Sequence, residues 1–186
     1  FLSFLVSQAA WGDIVISHKT AGMEYPENTL AGFEASLNMP VDAIELDLHV
    51  TRDKKVILHH DPVLSSYNCF SENDKQRLIV AQSTLADLTA LTCRNHKVSR
   101  DYQLPTFHQI LEEYRKSDQS KALYIEIKVW DELIEHNPLH KGLVIADMHY
   151  DNKEVAQLVL DDIRRFNLSG KVVFNTFSRD LLLTLK

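Results

Sequence analysis

The amino-acid sequence predicts an α/β fold, namely a (β/α)8 barrel that stops after about its fifth strand. Strand-like and helix-like segments alternate along the 186 residues, which is typical of parallel sheets built from βαβ units. Two predicted strands, Ala43–Val50 and residues 123–129, carry charged side chains on one face and aliphatic ones on the other. Parallel strands are normally apolar on both faces. A barrel whose charged faces meet at a polar site accounts for this pattern better than an open sheet does.

Five strands are predicted from short apolar or alternating segments. They cover residues 13–17, 43–50, 55–60, 123–129 and 171–177. A closed barrel needs eight strands and typically about 250 residues. We therefore expect residues 11–186 to form one barrel domain whose C-terminal part is absent.

Helices are predicted between these strands and after the last one, and several of them begin at a capping residue. Asn28 or Thr29 caps the first, Thr106 and Gln109 form a capping box at the start of another, and Ser178 caps the last. Apolar residues at helical spacing follow the first two caps: Leu30, Phe33 and Leu37; and Phe107, Ile110, Leu111 and Tyr114. A further amphipathic helix, for which no cap is predicted, is marked by Val155, Leu158, Val159, Ile163 and Phe166.

Residues 62–105 are predicted to be an insertion after the third strand. They show no strong strand pattern, and we expect loops and a short helix that Thr84 caps. The insertion contains both cysteines of the chain, Cys69 and Cys93. The sequence leaves open whether they pair, as they would in an exported protein, or remain free thiols.

Composition restricts the partners and the location of the protein. The net charge of −6 argues against nucleic-acid binding, because no basic segment is available to neutralise phosphates. No segment approaches the roughly 20 apolar residues of a membrane span. Residues 1–10 are apolar and end in small residues, which resembles the end of a secretory signal peptide. We therefore expect a periplasmic or secreted protein, with a cytoplasmic one as the alternative; the oligomeric state stays open.

Three carboxylates on two strands predict a metal site. Glu45 and Asp47 project side by side from one strand face, and Glu126 comes from another strand. Adjacent carboxylates repel each other unless a cation or protons lie between them. Oxygen donors of this kind suit one divalent ion, Mg²⁺ or Ca²⁺. The alternative is a set of surface carboxylates paired with lysine or arginine.

Two histidines and two lysines lie at or near the ends of predicted strands. His18 and His60 each lie at the end of a predicted strand, where an imidazole could exchange protons with a bound substrate near neutral pH. Lys19 and Lys128 could stabilise charge on phosphoryl oxygens, although Lys128 could instead balance a neighbouring carboxylate. Glu27 could orient Lys19 or a substrate hydroxyl, or act only as an acid at a helix N-terminus.

Taken together, these motifs resemble the glycerophosphodiester phosphodiesterase family. The resemblance rests on His18-Lys19, Pro26-Glu27-Asn28-Thr29, Glu45-x-Asp47, His60-Asp61-Pro62 and Glu126-x-Lys128, and on a fifth strand at residues 172–177 followed by Ser178. There are two departures: the sixth to eighth strands of the family's barrel are missing, and the family usually has His-Arg-Gly where this chain has His18-Lys19-Thr20. Lysine keeps the positive charge but loses the two-pronged contact that arginine makes with phosphate.

The resemblance implies a TIM (β/α)8 barrel that hydrolyses glycerophosphodiesters to glycerol 3-phosphate and an alcohol. It implies the following roles: His18 and His60 as general acid and base; Glu45, Asp47 and Glu126 as ligands of the divalent ion; and Lys19, Glu27 and Lys128 as substrate-binding residues. Three alternatives remain: a lysophospholipase D-like or sphingomyelinase D-like phosphodiesterase, a non-catalytic binding barrel, and an inactive fragment.

Overall fold

A computed structural model describes residues 13–64, 69–70, 78–128 and 151–186. In chain order the strands are β1 (Ile16–Ser17), β2 (Ala43–Val50), β3 (Val56–Leu58), β4 (Val63–Leu64), β5 (Cys69–Phe70), β6 (Leu78–Ile79), β7 (Thr92–Asn95), β8 (Arg100–Tyr102), β9 (Ala122–Ile127) and β10 (Val172–Asn175). The helices are α1 (Leu30–Asn38), α2 (Leu85–Thr89), α3 (Phe107–Lys116), α4 (Asn152–Arg165) and α5 (Arg179–Thr184).

The central sheet has the order β1-β2-β9-β10, and each of these neighbouring pairs is parallel. Helix α1 connects β1 to β2, and α4 precedes β10. The predicted α/β fold with a parallel central sheet is confirmed. In the part of the chain that the structure describes, these strands do not close into a ring.

The predicted helix starts are also confirmed. Of the two candidates for the first cap, Thr29 has this role, because its side chain accepts a hydrogen bond from the amide of Gly32. Thr106 and Gln109 form the reciprocal capping box of α3. Ser178 accepts a hydrogen bond from the amide of Leu181 at the start of α5.

The main hydrophobic core lies between one face of the sheet and the helices. Leu46 and Leu48 of β2 and Ile125 of β9 are buried there with residues of α1, α3, α4 and α5. The helical contributors include Phe33, Phe107, Ile110, Val159 and Leu181. Because side chains alternate along a strand, this packing leaves the acidic residues of β2 and β9 on the opposite face.

The third strand departs from the prediction of a parallel barrel strand. β3 pairs antiparallel with β2 and is shorter than the predicted 55–60. The connection between them is a tight turn in which the Thr51 hydroxyl accepts a hydrogen bond from the Lys55 amide. Parallel strands need a crossover of a dozen or more residues, so the short spacing between the two strands already indicated a hairpin.

Residues 62–105 contain more strand than the sequence indicated. In their described part, β4 pairs with β6, and β5, β7 and β8 form a three-stranded antiparallel sheet. The predicted short helix α2 is present, with Thr84 and Asp87 as a capping box. A disulfide joins Cys69 of β5 to Cys93 of β7, which decides the pairing that the sequence left open. These strands of two to four residues are too short to produce a recognisable alternation.

Some predictions lie outside the described residues. They are the signal-peptide remnant at residues 1–10, parts of the insertion, and the end of the fourth predicted strand at Val129. Among the residues that the structure describes, no helix is long and apolar enough to cross a membrane.

Candidate active site

Strands β2 and β9 bring the three predicted metal ligands together. In the parallel register Asp47 lies directly opposite Glu126, and Glu45 is two residues earlier on the same face of β2. A carboxylate oxygen of each residue lies within 4.8 Å of the others. Asp47 and Glu126 are buried and Glu45 is half-buried. The convergence that the strand pattern predicts is therefore present.

Glu45 and Asp47 lie in different electrostatic environments. Burial and the neighbouring Asp47 raise the pKa of Glu45 to about 7. Burial also acts to raise the pKa of Asp47, but the Lys128 ammonium and a hydrogen bond from Asn28 outweigh it and lower that pKa. Burial and its acidic neighbours thus disfavour the charged form of Glu45.

Lys128 is the internal counter-ion of this cluster. Its Nζ lies 2.6 Å from Glu126 Oε1 and 3.0 Å from Asp47 Oδ1. These carboxylates outweigh the cost of burying the ammonium and raise the pKa of Lys128. One ammonium cannot balance three carboxylates, and Glu45 Oε1 is buried without a hydrogen-bond partner. The donor set therefore fits a divalent cation, which prefers several oxygen ligands.

Asn28 is a site residue that the sequence reasoning assigned only as a possible helix cap. Its Nδ2 donates a hydrogen bond to Asp47 Oδ2 at 2.7 Å, and its Oδ1 accepts one from the Asp47 amide at 3.0 Å. Asn28 is 1% exposed and has a φ of 57°, a conformation that asparagine tolerates better than most residues. The only signal of this role in the sequence was the position of Asn28 directly before the threonine that caps the helix.

The turn after β1 places His18 and Lys19 beside Glu45. His18 Nε2 lies 3.9 Å from Glu45 Oε2, and the His18 side chain is 75% exposed. The Lys19 amide donates a hydrogen bond to the same Oε2 at 2.6 Å. The Lys19 side chain reaches Glu27, with 3.4 Å between Nζ and Oε2. The predicted orientation of Lys19 by Glu27 thus has a direct contact to support it.

His60 follows β3, which pairs with β2 along the edge opposite β9, the same edge along which β1 lies. Its Nδ1 lies 2.8 Å from Asp61 Oδ1, and its electrostatic interaction with Asp47 contributes to the lowered pKa of that carboxylate. The His60 carbonyl lies 3.1 Å from Nε2 of the buried His49. His49, which sequence reasoning did not place in the site, shares its strand face with Glu45 and Asp47, and this parity was the available signal.

The region that contains the site residues is similar to known proteins. A sequence profile of the glycerophosphoryl diester phosphodiesterase family matches residues 18–186. The chain belongs to this family. The matched region begins at His18 and contains every predicted site residue.

Three known proteins illustrate this similarity. The glycerophosphodiester phosphodiesterase of Bacillus subtilis strain 168 is 29% identical over an alignment of 202 positions, which covers 97% of this chain and 61% of the relative. A Silicibacter pomeroyi protein provisionally named a glycerophosphoryl diester phosphodiesterase has 24% identity and a TM-score of 0.74, covering 92% of this chain and 60% of that one. A phosphodiesterase of Oleispira antarctica, solved with the product sn-glycerol-3-phosphate, has 19% identity and a TM-score of 0.65, covering 92% and 60%.

The two solved structures share the fold with this chain. The chain spans about three fifths of the length of these three proteins.

Proposed function

We propose that the protein is a metal-dependent hydrolase of glycerophosphodiesters that releases glycerol 3-phosphate and an alcohol. The observation that carries this proposal is the convergence of Glu45, Asp47 and Glu126 around Lys128, with His18 and His60 following the two strands that pair with β2 on its other edge. Membership of the family supports the reaction class. The product complex of the Oleispira antarctica relative supports glycerol 3-phosphate as the product.

Glu45, Asp47 and Glu126 would hold the divalent ion, Mg²⁺ or Ca²⁺. When bound, such an ion polarises a phosphoryl oxygen and compensates negative charge in the transition state. Asn28 keeps the Asp47 carboxylate oriented, and the Lys19 amide does the same for Glu45. The site is therefore organised by hydrogen bonds from residues that do not themselves bind the ion.

His18 and His60 are the candidates for general acid and base. One imidazole would take a proton from the attacking oxygen as it forms its bond to phosphorus. The other would give a proton to the alcohol oxygen as its bond to phosphorus breaks. Asp61 engages Nδ1 of His60 and leaves Nε2 for proton transfer. His18 is exposed enough to meet a substrate that enters from solvent.

Lys19, Glu27 and Lys128 are the proposed substrate-binding residues. The ammonium groups of both lysines suit phosphoryl oxygens. Glu27 fixes the direction of Lys19 and can accept a hydrogen bond from a glycerol hydroxyl.

We further propose that the parallel strands form part of a closed (β/α)8 barrel, with residues 62–105 as an insertion and the site at the strand ends. The TM-scores with longer family members support this arrangement. The Cys69–Cys93 disulfide supports a periplasmic or secreted location, because disulfides persist in oxidising compartments.

The test is release of glycerol 3-phosphate from glycerophosphocholine, measured with EDTA and after addition of Mg²⁺ or Ca²⁺. We expect metal-dependent release that His18→Ala or His60→Ala reduces by at least about 100-fold, the usual contribution of a general acid or base. His108→Ala is the matched control, because His108 lies on α3 and is also partly exposed. Metal uptake without release from this substrate would contradict the proposed reaction. Full activity in either histidine variant would remove that residue from the mechanism.

A further inference from the structure

The turn that carries His18 and Lys19 has an unusual backbone. Lys19, Thr20 and Ala21 have φ values of 51°, 53° and 60°, so three consecutive residues with side chains adopt the left-handed conformation. This region is unfavourable for most residues other than glycine and asparagine, and most unfavourable for a β-branched side chain such as that of threonine. A strained conformation persists only where the surrounding structure enforces it, and such sites are often functional.

The Thr20 side chain makes contacts that account for its presence here. Thr20 is fully buried. Its Oγ1 accepts a hydrogen bond from the Thr29 amide at 3.2 Å and donates one to the Thr29 carbonyl at 3.4 Å. The Thr20 amide donates to the Glu45 carbonyl at 3.0 Å. Thr20 thus joins the turn after β1 to the N-cap residue of α1 and to strand β2.

The residue next to Thr29 is the one that orients Asp47. The Asn28 amide donates a hydrogen bond to the Lys19 carbonyl at 2.9 Å, so the two turns are joined at adjacent positions. The Asn28 side chain then holds Asp47 through two hydrogen bonds. A continuous chain of contacts therefore leads from the Thr20 hydroxyl to a proposed metal ligand.

We propose that Thr20 is a positioning residue for the active site. Its hydroxyl locks the turn that carries His18 and Lys19 to the turn that carries Glu27 and Asn28. The consequence for metal affinity rests on the proposed function, whereas the consequence for Asn28 does not.

Three substitutions separate the hydroxyl from the backbone strain. Thr20→Ser keeps the hydroxyl, Thr20→Val keeps the β-branched shape without it, and Thr20→Gly removes the side chain and the strain at this position. Thr184→Val is the matched control, because the Thr184 hydroxyl also donates to a backbone carbonyl but lies on α5.

The first measurement is by NMR, on the Thr29 backbone amide and the Asn28 side-chain amide. We expect at least about 10-fold faster exchange of the Thr29 amide in the Val and Gly variants, because its acceptor is lost. The Asn28 side-chain signals should shift in the same two variants and stay unchanged in Thr20→Ser and Thr184→Val. Unchanged exchange and unchanged Asn28 signals in both the Val and Gly variants would overturn the proposal.

The second measurement is the affinity for Mg²⁺ and Ca²⁺ by calorimetry, together with the thermal midpoint. We expect the dissociation constant to rise roughly 3- to 10-fold in both the Val and Gly variants, the effect of about one hydrogen bond. Thr20→Gly should nevertheless melt at a higher temperature than Thr20→Val, because glycine relieves the strain. Loss of affinity that simply followed loss of stability would indicate a structural role and overturn the proposal. If the wild-type protein bound no metal, the proposed function would fail, and the NMR data would still decide the role of Thr20.

Discussion

At the scale of single residues, the direction of the Asp47 carboxylate depends on Asn28. The asparagine amide satisfies one carboxylate oxygen and the Asp47 backbone amide at the same time. Replacing it would leave buried polar atoms without partners, which costs more than the net gain from forming a hydrogen bond. Asparagine is also suited to the left-handed backbone at this position.

We therefore expect Asn28→Ala to lower the free energy of unfolding by about 3 kcal/mol and to weaken metal binding. Urea denaturation and calorimetry measure the two effects. Asn38→Ala is the control, because Asn38 donates a similar hydrogen bond, to the Glu34 carbonyl, at an exposed position. Equal stabilities of the two variants would contradict the role assigned to Asn28.

Lys128 gives a second prediction at this scale. Because its ammonium compensates Asp47 and Glu126 in a site where only 11% of its side chain is exposed, Lys128→Met should destabilise the metal-free protein by about 3 kcal/mol. Added Mg²⁺ or Ca²⁺ should raise the melting temperature of this variant more than that of the wild type, because the cation replaces the lost charge. Thermal unfolding with and without EDTA measures both effects.

The control for Lys128 is Lys116→Met. Lys116 pairs with Glu113 on the surface of α3 and is well exposed. We expect little change in stability and the wild-type response to metal. A Lys128→Met protein with the wild-type response to metal would show that the ammonium is not the counter-ion of the three carboxylates.

At the scale of secondary-structure elements, the N-terminal turn of α1 packs directly on the turn after β1. A Cβ atom on Gly32 would lie 2.1 Å from the Thr20 carbonyl oxygen, a contact that no side-chain rotation can relieve. The glycine therefore allows the helix to approach the site turn closely enough for the Thr20 and Thr29 hydrogen bonds to form.

We expect Gly32→Ala to destabilise the protein by about 2 kcal/mol, because the steric overlap outweighs the higher helix propensity of alanine. Gly170→Ala is the control, since no atom lies within 4 Å of the added Cβ there. Urea denaturation of both variants measures the difference. A Gly32→Ala variant as stable as the control would show that α1 can move away from the turn without loss.

The strands, caps and turns differ in how far the sequence could predict them. The parity of Glu45 and Asp47 in β2 and of Glu126 in β9 predicts their shared face, because alternation is a local property of a strand. The capping residues Thr29, Thr106 and Ser178 are likewise local signals. Alternation is the same for parallel and antiparallel strands, so the antiparallel direction of β3 could be read only from its short connection to β2. The left-handed turn at Thr20 has no local signal, because its residues favour other conformations.

At the scale of the whole molecule, electrostatic repulsion among the carboxylates of the site opposes folding. The central sheet gathers three carboxylates on one face, with one ammonium to balance them. A ligand that binds only the folded state stabilises it by about 2.7 kcal/mol at 100 times its dissociation constant. A divalent ion bound at this site should therefore stabilise the entire domain.

Glu45→Gln tests this opposition, because glutamine has nearly the same shape and no charge. In EDTA the variant should unfold at the same temperature as the wild type or a higher one, since burial of Glu45 next to Asp47 disfavours the charged carboxylate. With saturating Mg²⁺ or Ca²⁺ the order should reverse, because the variant binds the ion more weakly. Glu113→Gln, on the surface-facing ion pair of α3, should follow the wild type under both conditions apart from a small constant offset. A Glu45→Gln variant that gains as much from metal as the wild type would show that Glu45 is not a ligand, and the metal site would then have to be built without it.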